Sequence, residues 1–225
     1  HALRSLGLNR PSAIQRAVLP RINKGESLAI HAATGSGKTH AFLLPLLARL
    51  RMTTPRQALV LVPTRALALQ TLDAADALAA AAPTAVPAAE RLRDAAPDAR
   101  LRSLLAQTAP LLIAQGEQLV RLLGVDASAR ADATVRAALR AELQAVVIDE
   151  FDAQLEPPRR RSLRSRANRN RWLDAQPLTA SLRELLARPG DEGMARRGVG
   201  HARVQLILSS ATISATTLRD AQTVV

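Results

Sequence analysis

The chain has 225 residues, of which 48% are apolar, and its 31 basic and 19 acidic side chains give a formal charge of +12. This length corresponds to one domain, and the apolar fraction excludes a disordered chain. Because cysteine is absent and the four histidines are scattered, a thiol nucleophile and thiolate metal sites are excluded, and a metalloenzyme is disfavoured. The excess positive charge indicates a polyanionic partner. The longest apolar stretches, such as residues 41–50, are too short to span a bilayer, so no membrane partner is expected.

Short apolar runs alternate with helix-length segments along the chain. Runs of this kind are typical of strands that are buried on both faces of a mostly parallel sheet, so the predicted fold class is α/β. The predicted strands cover residues 27–31, 57–62, 111–114, 144–148 and 203–208. Helices are predicted after Pro11 and Ser12, over 38–51 and over 66–82, where Pro83 ends the third helix.

Two segments depart from this alternation and are predicted to be flexible. Residues 157–172 carry seven arginines and no acid, and a like-charge block of this kind repels itself. Residues 188–200 contain four glycines and a proline among charges of both signs, which is typical of a flexible connection. We therefore expect a flexible insertion over about 157–176 and a flexible loop over about 188–200. The arginines are Arg159, Arg160, Arg161, Arg164, Arg166, Arg169 and Arg171.

A phosphate-binding pattern of the Walker A type follows the first predicted strand. Glycines at 35 and 37 let backbone N–H groups turn toward a phosphate, and the helix that follows adds a favourable dipole. Lys38 supplies a point charge for the β- and γ-phosphates, and the Thr39 hydroxyl ligates magnesium. The alternative is a simple Gly-Ser turn between a strand and a helix. The pattern, with Ala32 where glycine is usual, is Ala32-Ala33-Thr34-Gly35-Ser36-Gly37-Lys38-Thr39.

An acidic cluster follows the strand predicted at 144–148. Asp149 is expected to bind magnesium through water, and Glu150 to orient or deprotonate an attacking water. The alternative is that these acids only cap the next helix. Together with the upstream Walker A pattern, the cluster predicts Lys38, Asp149 and Glu150 as catalytic residues and Thr39 and Asp149 as ligands of Mg²⁺.

The chain resembles the first RecA-like domain of the DEAD-box RNA helicases of superfamily 2, almost from end to end. The resemblance rests on five motifs in order. They are the Q motif (Gly7, Pro11, Ser12, Ile14 and Gln15), motif I (residues 32–39), motif Ia (residues 63–70), motif II (Asp149-Glu150-Phe151-Asp152) and motif III (Ser210-Ala211-Thr212).

The resemblance implies one RecA-like, ATP-binding helicase domain over residues 1–225, with ATP and Mg²⁺ as cofactors. In this family Gln15 would read the adenine, and the nucleotide would be bound by Gln15 together with the loop residues Thr34, Gly35, Ser36, Gly37, Lys38 and Thr39. Thr64 and Arg65 would contact the RNA backbone. Asp152, Ser210 and Thr212 would couple the domain to its neighbour.

The chain departs from the family pattern at motif Ib. Residues 115–118 read Gln-Gly-Glu-Gln where the family has Thr-Pro-Gly-Arg, and the glycine pair between motifs Ia and Ib is missing. Glu117 would bring a negative charge to a phosphate-binding surface, so we expect a weakened RNA grip there. The arginine-rich insertion either replaces the lost contacts through unspecific phosphate binding or is a solvated loop without a ligand.

The resemblance implies an ATP-dependent RNA helicase that clamps and remodels RNA. The alternative from a different class is a helicase-derived assembly or scaffolding factor in a ribonucleoprotein particle, with ribosomal assembly proteins as partners and little or no unwinding. A third reading is a P-loop motor unrelated to RNA.

The chain ends soon after motif III, so a second RecA-like domain, with its arginine fingers, is expected to be absent from it. Phosphoryl transfer in such enzymes needs an arginine from across the cleft, and we therefore expect weak ATP binding and very slow hydrolysis by this chain alone. Composition favours an organelle such as the mitochondrion, with the nucleus and the cytoplasm as alternatives.

Overall fold

A parallel sheet of six strands forms the centre of the structure in the residues that the computed structural model describes, which are 4, 7, 9–51, 53–81, 89–92, 99–124, 133–157, 165–186, 204–212, 214, 217–218 and 220–221. The order across the sheet is β1-β6-β5-β2-β4-β3, and every pair of neighbouring strands is parallel. The strands are β1 (Leu28–His31), β2 (Ala58–Val62), β3 (Ala89–Arg91), β4 (Leu111–Gln115), β5 (Ala145–Ile148) and β6 (Gln205–Ser210).

Eight α-helices and one 3₁₀ turn connect the strands in the described ranges. None of these helices combines the length and the apolar character that crossing a membrane requires. The helices are α1 (Ala13–Asn23), α2 (Lys38–Arg49), α3 (Arg65–Ala80), α4 (Arg100–Leu105), α5 (Gly116–Leu123), α6 (Ala133–Arg140), α7 (Arg166–Asp174) and α8 (Pro177–Leu186), and the 3₁₀ turn covers Phe151–Gln154.

The sheet has an apolar core on each of its faces. Successive side chains of a strand point to opposite faces, and in β2 Leu59 and Leu61 pack on one face while Val60 packs on the other. The first face is covered by side chains such as Leu119 and Leu182, and the second by Phe42. Burial on both faces explains the continuous apolar runs in the sequence and confirms the predicted α/β class.

Glutamines tie together the amino ends of the central strands. The backbone N–H of Gln144 donates to the carbonyl of Gln57 at 2.7 Å, and the N–H of Gln205 donates to the carbonyl of Gln144 at 2.8 Å. Arg49 donates through Nη2 to the Gln205 side-chain oxygen at 2.6 Å, and burial lowers the pKa of Arg49. These contacts fix the register of β2, β5 and β6, so that their carboxyl ends also finish side by side.

The five predicted strands are all present, with ends that differ by one or two residues from the prediction. The sequence did not indicate β3, a three-residue strand whose side chains are only partly buried. Such a short edge strand needs no apolar run. The helix predicted over 38–51 ends at Arg49, and the one predicted over 66–82 spans Arg65–Ala80.

Within the segment predicted to be a flexible insertion, residues 166–174 form helix α7. Ser165 caps this helix by accepting a hydrogen bond from the Asn168 N–H at 3.2 Å, and Leu173 is fully buried in the core. The charge block is compensated by an acid far along the chain, because Arg169 pairs with Asp220 at 2.7 Å. The rest of the arginine-rich segment, residues 158–164, and the loop predicted at 188–200 lie outside the described residues.

The Asp220 carboxylate is expected to hold α7 against the domain. Replacing Asp220 by Asn removes the charge that Arg169 and Arg166 contact. A hydrogen bond to a charged group contributes about 1.5–3 kcal/mol, so we expect amide hydrogen exchange in residues 166–174 to accelerate by at least about tenfold. Asp174→Asn is the matched control, because its pair with Arg183 is more exposed and such pairs contribute little. Equal protection in the two variants would contradict this role of Asp220.

Candidate active site

The predicted phosphate and metal residues meet at the carboxyl edge of the sheet. In the register, Ile30 of β1 lies opposite Ser209 of β6, and Leu208 of β6 lies opposite Ile148 of β5. The loop that follows β1 and the acids that follow β5 are therefore brought to one place. The carboxyl ends of parallel strands are where open α/β sheets bind their ligands.

The loop between β1 and α2 has the backbone of a phosphate cradle. Gly35 and Gly37 have φ values of +73° and +92°, which glycine adopts without the penalty that a Cβ brings. Helix α2 begins at Lys38 directly after Gly37, so its first N–H groups face the loop and favour an anion. The Ser36 hydroxyl is buried without a hydrogen-bond partner among the described residues. The loop thus offers donors for phosphate oxygens.

Lys38 places its ammonium group inside this loop. The residue is 5% exposed, and Nζ donates to the carbonyls of Ala32 at 2.8 Å and Ala33 at 3.2 Å. The Glu150 carboxylate lies 3.6 Å from Nζ. Since a buried charge is tolerated only when it is paired or hydrogen-bonded, these three oxygens account for the burial of the lysine.

Two hard oxygen donors face each other beside the loop. Thr39 Oγ1 lies 3.5 Å from Asp149 Oδ2, and Asp149 is 8% exposed. No cluster of three or more His, Cys, Asp or Glu side chains that could hold a metal is present in the described ranges. A hydroxyl and one carboxylate suit Mg²⁺, which binds few protein ligands and completes its shell with water and phosphate oxygens. The donor set therefore fits the predicted metal.

Glu150 adopts a left-handed backbone conformation, with φ of +46°. This conformation costs a non-glycine residue roughly 1–2 kcal/mol. Such strain is typical of functional sites, where the surrounding contacts hold the backbone in place. The turn starts the 3₁₀ segment and places the Glu150 carboxylate within 3.6 Å of Lys38 Nζ. The predicted catalytic residues Lys38, Asp149 and Glu150 are thus together.

The residues of the predicted Q motif support the loop from helix α1. Ser12 donates from Oγ to the carbonyl of Ser36 at 2.8 Å, and Gln15 donates from Nε2 to the carbonyl of Gly37 at 3.2 Å. Gln15 also accepts a hydrogen bond from the Ser12 N–H at 2.9 Å. The side chain of Gln15 therefore holds the phosphate loop in this structure, and its contact with adenine stays a prediction.

The three residues predicted to couple domains form one hydrogen-bonded group. The Ser210 hydroxyl donates to Asp152 Oδ1 at 2.5 Å, and the Thr212 hydroxyl donates to Asp152 Oδ2. The group joins the 3₁₀ turn after β5 to the end of β6 and lies beside Asp149 and Glu150.

Thr64 and Arg65, the predicted RNA contacts, lie apart from this group at the end of β2. Both are exposed, and Thr64 caps helix α3 by accepting from the Leu67 N–H at 3.2 Å. Strand β2 neighbours β5, so the two residues share the sheet edge with the phosphate loop. Their exposed side chains are accessible to a ligand that lies along this edge.

Two residues that support the site were not found from the sequence. Gln154 donates from Nε2 to the carbonyls of Asp149 at 2.7 Å and Leu61 at 3.2 Å, which fixes the 3₁₀ turn. Ser209 donates to Asp149 Oδ1 at 2.7 Å. No local pattern marks Gln154. Ser209 can be found only from the register of β5 and β6, which sets it beside Asp149.

This parallel sheet, with a phosphate loop after β1 and acids after β5 on the far side of β6, defines a RecA-like P-loop nucleotide-binding domain. A model of the DEAD/DEAH box helicase family matches residues 12–221. The chain therefore belongs to the DEAD/DEAH box helicase family.

Relatives with the same kind of domain are much longer than this chain. The ATP-dependent RNA helicase dbp-9 of Neurospora crassa is 34% identical over 160 residues, which cover 68% of this chain and 22% of that protein. The ATP-dependent RNA helicase DeaD of Mycobacterium tuberculosis is 46% identical over 74 residues, which cover 32% of this chain and 13% of that protein. The chain thus spans less than a quarter of these two curated relatives.

Solved structures support the fold over almost the entire chain. A DEAD box protein from the hyperthermophile Methanococcus jannaschii superposes with a TM-score of 0.63 at 20% identity, covering 98% of this chain and 49% of that one. The RNA helicase Prp28 from Chaetomium thermophilum, bound to ADP, gives a TM-score of 0.58 at 22% identity and covers 98% of this chain and 44% of that one. The RecA-like fold is therefore shown.

The contact between Gly37 and Gln15 can be tested with a double-mutant cycle. A Cβ at Gly37 would lie 2.6 Å from Gln15 Nε2, whereas a Cβ at Gly35 meets no atom within 4 Å. Both glycines have positive φ, so Gly35→Ala and Gly37→Ala should each lower the free energy of unfolding by about 1–2 kcal/mol. Gly37→Ala should cost about 0.5–1.5 kcal/mol more, because Gln15 must move and lose a hydrogen bond.

Urea denaturation of the single and double variants measures this coupling. In a Gln15→Ala background, most of the additional cost of Gly37→Ala should disappear, leaving the contact of the new Cβ with Ser12 Oγ at 3.3 Å, while the cost of Gly35→Ala should stay the same. Strict additivity of Gln15→Ala and Gly37→Ala would show that the two residues do not interact.

Proposed function

We propose that this chain is the ATP-binding domain of an ATP-dependent RNA helicase, in which ATP controls the clamping and remodelling of RNA. The convergence of Lys38, Thr39, Asp149 and Glu150 at one sheet edge carries the proposal. Family membership supports it, since the matching relatives are named ATP-dependent RNA helicases.

Each residue of the loop has a defined task in this proposal. The N–H groups around Gly35 and Gly37 bind phosphate oxygens, and Lys38 exchanges the carbonyls of Ala32 and Ala33 for oxygens of the β- and γ-phosphates. Thr39 and Asp149 hold Mg²⁺, whose charge offsets that of the phosphates. Glu150 orients the attacking water. Gln15 selects adenine from its place against the loop.

RNA is proposed to run along the same edge, over Thr64 and Arg65. Asp152, Ser210 and Thr212 would then link the state of the nucleotide to the position of a second domain, because they connect motif II with the end of β6. Phosphoryl transfer in such enzymes needs an arginine from across the cleft between two domains, so we expect the chain alone to hydrolyse ATP very slowly.

Lys38→Ala tests the nucleotide site. The substitution removes the cation that is proposed to bind two phosphates, and each hydrogen bond to a charged group contributes about 1.5–3 kcal/mol. We therefore expect affinity for ATP to fall by about 100-fold or more in isothermal titration calorimetry. Lys24→Ala is the matched control, because Lys24 is the other lysine of the chain and is exposed at the end of α1. Unchanged ATP binding by Lys38→Ala would refute the assignment.

A second candidate function is an assembly or scaffolding factor derived from a helicase. Gln118 takes the place of the customary arginine of motif Ib, and it is buried, with Nε2 donating to the Leu92 carbonyl at 3.3 Å. Glu117 is exposed in the first turn of α5 and contributes a negative charge there. The Glu117 carboxylate lies 3.7 Å from Arg121 Nη1, so the pair adds no net positive charge for a phosphate at this part of the edge. That observation favours a protein that sits in a ribonucleoprotein particle, such as an assembling ribosome, and unwinds little. The ribosomal role and a mitochondrial location stay predictions from composition.

RNA binding separates the two candidates. If Arg65 contacts the RNA backbone, Arg65→Ala should weaken binding of single-stranded RNA to the chain and lower the slope of log K against log salt by about 0.7. Arg102→Ala is the control, because Arg102 is an exposed arginine on α4, which leads into the amino end of β4 at the opposite edge of the sheet. Equal effects of the two variants would indicate unspecific attraction and would favour the scaffold, as would the absence of RNA-stimulated ATP hydrolysis in the intact gene product.

A further inference from the structure

Ser209 makes a buried hydrogen bond to the acid of the metal site. The residue is fully buried, and its hydroxyl donates to Asp149 Oδ1 at 2.7 Å. It stands immediately before the motif III triplet, and the next residue, Ser210, bonds Asp152 instead. Two consecutive serines of β6 thus serve two different acids after β5.

The parallel register places Ser209 beside Asp149. Leu208 lies opposite Ile148, so Ser209 and Asp149, the next residues of the two strands, are also neighbours. A buried hydroxyl without a partner is costly, and the carboxylate supplies the partner. The bond is therefore built into the sheet and does not depend on an adaptable loop.

This bond leaves the two carboxylate oxygens of Asp149 unequal. Oδ1 accepts from the Ser209 hydroxyl at 2.7 Å and from the Glu150 N–H at 3.1 Å. Oδ2 faces the Thr39 hydroxyl at 3.5 Å. Turning the carboxylate out of this orientation would break both hydrogen bonds to Oδ1, so Oδ2 is held facing the Thr39 hydroxyl.

We propose that Ser209 is a positioning residue for the magnesium of the bound nucleotide, because it orients Asp149 so that Oδ2 and Thr39 face the ion or its water shell. This inference rests on the proposed function. It goes beyond the motif assignments, which give Ser209 no role. Partners that orient metal-binding carboxylates commonly change metal affinity by 10–100-fold when they are removed.

The test measures how much magnesium strengthens nucleotide binding. The chain is titrated with a fluorescent, non-hydrolysable ATP analogue, once with Mg²⁺ and once with EDTA. The dissociation constant in EDTA is divided by the dissociation constant with Mg²⁺, and this ratio is compared between variants. In Ser209→Ala this ratio should fall by about tenfold, whereas affinity in EDTA should change little. A purely structural role of Ser209 would weaken binding equally in both conditions.

Two further variants make the test specific. Ser181→Ala is the matched control, because Ser181 is also fully buried and donates to the Pro177 carbonyl at 2.9 Å, within helix α8; it should leave the ratio unchanged. Ser209→Cys keeps a side chain of similar size with a weaker donor and should reduce the ratio by an intermediate factor. If Ser209→Ala does not fold, as judged by circular dichroism, the cysteine variant carries the comparison.

The outcomes distinguish this inference from the proposed function. If the unmodified chain binds the analogue no better with Mg²⁺ than with EDTA, the proposed metal site is wrong and the role of Ser209 is wrong with it. If the unmodified chain shows a strong effect of Mg²⁺ and both Ser209 variants keep it, only the positioning role is overturned.

Discussion

A buried cation, the Lys38 ammonium, is the constraint on which the rest of the site depends. Its burial requires oxygen partners, which the carbonyls of Ala32 and Ala33 and the Glu150 carboxylate provide. The loop after β1 and the acids after β5 are therefore held at one place by electrostatics as well as by the sheet. An anionic ligand in the loop would replace neutral carbonyls around the same charge. In the proposed function, the charge that would bind phosphate is therefore already in place in the loop.

The alignment of the central strands fixes the positions of the residues in this site. Hydrogen bonds between Gln57, Gln144 and Gln205 align the amino ends of three central strands. Because the strands are parallel and close in length, the alignment carries through to their carboxyl ends, where Asp149 and Ser209 become neighbours. The apolar cores on both faces hold the strands in place, so the acids are fixed by packing that lies far from them.

The sequence was most informative where structure depends on local or strictly periodic patterns. Strands buried on both faces leave apolar runs, and a phosphate loop needs glycine, lysine and threonine at fixed spacing, so the sheet and motif I could be predicted. Contacts between distant residues could not. Helix α7 was missed because Asp220, which compensates Arg169, lies 51 residues away. The roles of Gln154 and Ser209 were missed for the same reason, since Gln154 reaches Leu61 on β2 and Ser209 on β6 reaches Asp149 after β5.

Lys38, Thr39 and Asp149 are proposed to bind a nucleotide together with its metal. A crystal structure of the chain with a non-hydrolysable ATP analogue and Mg²⁺ would test this binding mode. We expect phosphate oxygens within about 3 Å of Lys38 Nζ and the metal about 2.1 Å from Thr39 Oγ1, on the side that Asp149 Oδ2 faces. A nucleotide bound elsewhere, or Lys38 still bonded to the Ala32 and Ala33 carbonyls beside a bound phosphate, would contradict it.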